Sequence, residues 1–117
     1  MAAAKDTRVF TFNDACRLIP QVRDYTRDAI EKLTAIQMAI EEDDENEESA
    51  HEELQQSAAE LLERWAQNIR SLGADVKGPW LVDFDSGAGY YCWKWPEEAL
   101  EFFHGYEEGF AGRIRIQ

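Results

Sequence analysis

WLVDFDSGAGYYCWKW occupies residues 80–95, and it is where the period of the chain changes. Two short runs, WLVDF and GYYCWKW, are rich in aromatic and β-branched residues, which suit a pleated surface. Between them DSGAG supplies glycine and serine for a tight reversal. The stretch reads as a β-hairpin. A chain that is helical before it and strand-forming within it belongs to the α+β class.

The preceding half has the helical period. Apolar residues recur at Ala15, Leu18, Ile19, Val22, Tyr25, Ala29, Ile30, Leu33, Ile36 and Ile40, a spacing that keeps one stripe on one helical face. Thr11 precedes it as N-cap, with Asp14 three residues on. Pro20 falls inside the pattern, so a kink or a division into two helices is expected there. A second stripe runs through Leu54, Ala58, Leu61, Leu62, Trp65, Ile69 and Leu72, and Gly73 stands where a left-handed cap residue belongs. Two amphipathic helices joined by a polar segment predict an antiparallel helical hairpin over about 13–72.

Beyond the β-hairpin, PEEALEFFHGY opens with Pro96 and early acids, which predicts a short C-terminal helix. The tail GRIRIQ alternates and reads as a further strand, as does RVFTF near the start. The expected architecture is a long antiparallel helical hairpin packed with a small, mainly antiparallel β-sheet and a short C-terminal helix. It forms one domain over residues 1–117, with the β-hairpin, short helix and tail at about 75–117.

The formal charge of −12 is concentrated in one place. Residues 41–63 carry eleven acids and no base, while residues 1–40 have six Lys or Arg against five acids and residues 64–117 have six against eight. The segment EEDDENEESAHEE therefore reads as a solvated acidic loop at about 41–49, because like charges this dense repel. It lacks the turn glycine and spacing of a calcium loop. No basic stripe is present for phosphate contacts, so nucleic acid is not an expected partner. No window is long and apolar enough to span a bilayer, and the first ten residues lack the apolar core of a signal peptide, so no membrane association is expected. Cys16 and Cys92 lie far apart and in no CxxC pattern, which points to a reducing, cytoplasmic setting.

Chemistry-bearing residues gather in the last third. Asp83, Cys92, Glu97 and His104 are of the types that hold zinc or iron, given a fold that brings them together. On the helix predicted from Pro96, Glu97 and His104 share a face two turns apart. Cys92 paired with His104 as base would make a nucleophile, but a cysteine between Tyr91 and Trp93 is in the usual setting of a small buried hydrophobe. Arg113 and Asp83 are suited to a bidentate bridge tying the tail to the hairpin, and Glu97 to capping its own helix. If Asp83, Trp93, Glu97, His104 and Arg113 line an open cleft, they form a pocket for a small anionic or aromatic ligand.

At these residues the chain resembles the bacterial and archaeal family catalogued as domain of unknown function 2203. The matching stretches are LIPQVR at 18–23, GADVKGPWLVDF at 73–84, CWKWPE at 92–97 and FHGYEEGFAGR at 103–113. The resemblance covers nearly the whole chain and includes Asp83, Cys92, Trp93, Glu97, His104, Gly109 and Arg113. It departs where Trp80 and Pro96 replace glycines and Phe103 replaces tryptophan. It implies no reaction. The favoured reading is a small acidic cytoplasmic protein, a non-enzymatic interaction or small-ligand-binding module, homodimeric through leftover apolar surface on the long helices. The alternative is a metal-dependent (zinc or iron) or small-molecule enzyme centred on Asp83, Cys92, Glu97 and His104.

Overall fold

The structure, a computed structural model, describes residues 8–42 and 48–116. The heart of the acidic connection expected at 41–49 lies outside the described residues. What surrounds it is two helices, α1 (Phe12–Glu42) and α2 (Glu48–Ser71), followed by five strands: β1 (Asp75–Gly78), β2 (Leu81–Asp85), β3 (Tyr90–Lys94), β4 (Phe102–His104) and β5 (Ile114–Arg115). The strands form one sheet in the order β1-β2-β3-β4-β5, every neighbour antiparallel. The α+β class and the helical hairpin are as the periodicity predicts.

Local chemistry sets the helix ends. Thr11 Oγ1 accepts the backbone N–H of Asp14 at 3.0 Å, satisfying one of the donors that an α-helix leaves open at its start. At the far end Gly73, at φ 98°, closes α2, and its N–H donates to the Arg70 carbonyl at 2.9 Å. A side chain there would also meet Arg8, whose N–H reaches the Gly73 carbonyl at 3.2 Å.

The buried residues of α1 are Ala15, Ile19, Val22, Thr26 and Ala29, alternating steps of four and three as in a coiled-coil seam. Leu33, Ile36 and Ile40 continue the same steps, and Leu54, Ala58, Leu61 and Trp65 match them on α2. Burial does not continue with them. Among the described residues none from Ile30 to Arg64 is buried, because the sheet covers only the half of the hairpin nearest to it. In the covered half, Trp65 Nε1 donates to the buried Thr26 Oγ1 at 2.9 Å, and that hydroxyl donates to the Val22 carbonyl at 2.7 Å. The expected stripe passed over Thr26 because a hydroxyl reads as solvent-facing; here it pins one helix to the other.

One expectation is narrowed, since of the kink or division expected at Pro20 the division is excluded, and another is corrected. Pro20 does not divide the first helix: α1 runs through it as one 31-residue element, with Pro20 exposed and Ile19 and Val22 buried beside it. The cost of about 3 kcal/mol for an interior proline is offset by that burial. The predicted C-terminal helix is also absent. Residues 95–101 form turns, the Trp95–Pro96 peptide is cis, Phe102–His104 is a strand, and only a 3-10 turn, Phe110–Gly112, follows. The cause lies in tertiary contacts. Arg23 Nη1 donates to the carbonyls of Pro96 at 3.0 Å and Glu97 at 2.6 Å, and Trp93 Nε1 donates to the Glu97 carbonyl at 2.8 Å. Carbonyls that a helix would bond to its own next turn are claimed from outside it.

RVFTF does not become an assigned strand, yet Phe10 donates its N–H to the Asp85 carbonyl at 2.7 Å and packs edge-on against Phe84, ring centroids 5.3 Å apart. β1, before the predicted hairpin, is a further strand that the periodicity did not single out.

Val82, Phe84 and Trp93 lie on the helix-facing side of the sheet, in one cluster with Ile19, Val22, Trp65 and Ile69. Side chains alternate across a strand, so Asp83 and its cross-strand partner Cys92 point to the opposite side. That second side is also covered. The return segment 105–113 lies over it, with Arg113 stacked between the rings of Phe102 and Phe110 at 4.0 and 4.2 Å.

Candidate functional site

Three adjacent strands each place one polar group under the return segment: Asp83 from β2, Cys92 from β3 and His104 from β4. Their relative exposures are 1%, 0% and 3%, so this is a buried polar cluster on a two-sided sheet. One ligating-type atom from each residue lies within 4.8 Å of those of the other two. The backbone dictates the meeting, since Asp83 and Cys92 are direct cross-strand partners and His104 pairs with Tyr90, two residues before Cys92. Gly89 permits the close approach of β4, because a Cβ there would stand 2.8 Å from the His104 carbonyl oxygen.

His104 Nε2 lies 3.0 Å from Asp83 Oδ2, and Nδ1 lies 2.8 Å from the Gly105 carbonyl. A carbonyl can only accept, so Nδ1 carries the proton of that bond and Nε2 faces the carboxylate. Asp83 Oδ2 also lies 3.4 Å from Lys77 Nζ, which in turn sits 3.7 Å from the Tyr90 ring centroid. Burial opposes the Lys77 charge, yet Asp83 and Tyr90 beside it hold its pKa above the ordinary value. Asp83 Oδ1 is buried and accepts no hydrogen bond among the described residues. The Cys92 thiol lies against the same carboxylate.

Burial first, and the neighbouring Asp83 second, push the Cys92 thiol from 9.0 to about 12, against the opposing influence of Arg113. At neutral pH it is therefore a thiol. A nucleophilic cysteine needs the reverse arrangement, an open position whose surroundings lower the pKa. The pairing of Cys92 with His104 as base also fails on geometry, because both imidazole nitrogens are engaged by oxygen atoms.

The other expected site residues sit differently. Glu97 is outside the three-residue group and shares no helix with His104. Its Oε1 accepts from Lys94 N–H at 2.9 Å, and its Oε2 pairs with Arg113 Nη1 at 2.9 Å. The bridge predicted between Arg113 and Asp83 is replaced by this one, and Arg113 Nη1 reaches Cys92 Sγ at 3.9 Å from above. Trp93 is on the helix-facing side, fully buried, its N–H spent on the Glu97 carbonyl. No open cleft lined by Asp83, Trp93, Glu97, His104 and Arg113 is present among the described residues, since the strand residues of that set are covered from both sides.

An open cleft does occur elsewhere, about 430 Å³ in volume, between α1 and the 98–100 turn. Cys16, Pro20, Arg23, Arg27, Glu98 and Leu100 line it, and sequence reasoning missed it because the turn that forms its wall was read as helix. Its cations are engaged: Arg23 holds the Pro96 and Glu97 carbonyls and Arg27 pairs with Asp24 at 2.9 Å. Lys77 was likewise unforeseen as a neighbour of Asp83. Position 77 lies six residues upstream, and only the β1–β2 reversal brings it alongside.

No helix among the described residues is long and apolar enough to cross a membrane. Comparison with curated proteins and with solved structures returns no match. A family model does match, over residues 8–116, and so spans both helices, the whole sheet and every member of the polar cluster. On that match the chain belongs to the family of uncharacterized conserved proteins designated DUF2203.

Proposed function

We propose that the chain is a non-enzymatic interaction module that works as a homodimer through the distal half of its helical hairpin. The observation that carries this reading is the mismatch between pattern and burial along the seam. Leu33, Ile36 and Ile40 on α1, with Leu54, Ala58 and Leu61 on α2, hold seam positions, yet each is only half-buried, and Met38, beside the seam, is 55% exposed. Two helices alone cannot enclose a core; four can. A second copy supplies a hairpin of matched length with the same seam, and a two-fold axis sets each stripe against its equivalent. The charged residues Asp28, Glu31 and Lys32 are exposed and off the seam, whereas residues 41–63, which belong to the same distal half, carry eleven acids, so like-charge repulsion opposes the pairing and added salt should strengthen it.

The non-enzymatic part of the reading rests on the polar cluster, which is closed and keeps its thiol protonated. A reducing compartment, the cytoplasm, agrees with the two free cysteines, Cys16 and Cys92.

Sedimentation of the full chain at micromolar concentration tests the proposal. A dimer is expected, and Ile36→Glu should return a monomer with unchanged helix content by circular dichroism. A wild-type chain that sediments as a monomer throughout that range would refute homodimerisation.

A further inference from the structure

We infer that Asp83, Cys92 and His104 form a binding site for one zinc-like divalent ion, closed by the return segment 105–113. The inference shares no residue with the dimer seam, but it uses the polar cluster on which the non-enzymatic reading rests: without the ion the thiol keeps its proton, and with the ion the site stays closed by the return segment.

The donor set is one carboxylate oxygen, one sulfur and one imidazole nitrogen, a combination that zinc accepts and that harder ions such as magnesium or calcium do not favour. The atoms lie within 4.8 Å of one another. Zinc bonds of about 2.0–2.3 Å require tetrahedral ligands roughly 3.3–3.7 Å apart, so small side-chain rotations would bring these three into place and leave the fourth position to a water. All three ligands stand on adjacent paired strands, the kind of rigid support that holds a site in register.

Three independent observations point to an ion. Asp83 Oδ1 is a buried acceptor without a donor among the described residues, a condition that native interiors rarely leave unanswered. His104 is oriented as a metal ligand is oriented: Nδ1 donates to the Gly105 carbonyl at 2.8 Å, which fixes the ring and turns Nε2 into the cluster. The cluster already attracts a cation, the Lys77 ammonium, 3.4 Å from Asp83 Oδ2. Lys77 is 37% exposed on a flexible stem, so it can swing into solvent as the ion enters. Coordination replaces the thiol proton of Cys92. The resulting thiolate and the Asp83 carboxylate together neutralise a divalent charge, with Arg113 placed 3.9 Å from the sulfur to donate to it.

The test uses the full chain, stripped of metal and titrated with zinc against a competing chelator, and separately loaded with cobalt(II). One ion per chain is expected, and the cobalt form should show tetrahedral visible bands together with a thiolate-to-cobalt charge-transfer band. Cys92→Ser and His104→Gln should each weaken zinc binding by about 100-fold or more, whereas Cys16→Ser should leave it unchanged. Circular dichroism of each variant separates lost binding from lost folding, and the cobalt spectrum of the unmodified chain decides without any variant. Failure to bind zinc at micromolar concentration overturns the inference. So does a cobalt complex without the charge-transfer band, which would place the ion on surface carboxylates.

Discussion

Val82 and Asp83 are chain neighbours and both are buried, yet they point into two different interiors. Val82 joins the helix-facing side with Phe84 and Trp93, an apolar interior whose few polar groups, the indole N–H groups of Trp93 and Trp65 and the Thr26 hydroxyl, are all satisfied. Asp83 joins the opposite side with Cys92 and His104, where each group depends on a named partner. Alternation of apolar and polar residues along a strand ordinarily marks one dry side and one wet side. Here the polar side is also dry, because residues 105–113 double back over it. The first side is held by area and shape, which tolerate small errors; the second is held by complementary charge and hydrogen bonding, which do not.

Mutations on the two sides can break that contrast. The largest effect is expected from Trp93→Ala, which empties the centre of the helix-facing side: a loss of about 3–5 kcal/mol, read from the urea midpoint. Asp83→Ala should cost about 3 kcal/mol, because it leaves the buried His104 Nε2 facing no carboxylate and opens a gap between two strands, while Lys77, partly exposed, can turn to solvent. A loss below about 1 kcal/mol would mean that water reaches the polar side in solution and that it is no interior at all.

A pH experiment sharpens the comparison without touching packing volume much. The Cys92 thiol is raised from 9.0 to about 12 in the fold, so between those values the unfolded chain has released a proton that the folded chain keeps. The unfolded state then binds fewer protons, and stability falls as pH rises through that window, with the full contribution present below pH 9. Denaturation midpoints should decline from pH 9 upward, and Cys92→Ala should flatten the decline. The smallest effect is expected at the rim. Tyr106 donates to Asp85 Oδ1 at 2.7 Å, but the pair is exposed, so Tyr106→Phe should change stability by no more than about 0.5 kcal/mol.

The legible and illegible parts of the molecule divide on the same physical line. The seam of α1, the Thr11 cap, the Gly73 stop and the β2–β3 hairpin depend on neighbours within a few residues, and the sequence displays them. That Asp83, Cys92 and His104 are chemically capable was visible too, as residue types. Their convergence was not, because it requires β4 to exist, and Phe102–His104 was read as helix. Pro96 and its following acids are good helix-start chemistry, yet Arg23, more than seventy residues upstream, takes the carbonyls that such a helix would use. Trp80 makes the same point. Its φ of 63° is a conformation that glycine adopts freely and a tryptophan rarely does. Its ring packs edge-on against Trp65, centroids 4.9 Å apart, a contact that offsets the strain and that no local pattern announces.

Short-range rules therefore determined the α+β class, the two helices and the central hairpin, since periodicity, caps and turn residues act through bonds and contacts a few positions long. Tertiary structure alone decided that the polar side is buried, that Glu97 pairs with Arg113, and that Lys77 stands beside Asp83. Each of those outcomes joins residues whose separation along the chain carries no energetic signal until the backbone has brought them together.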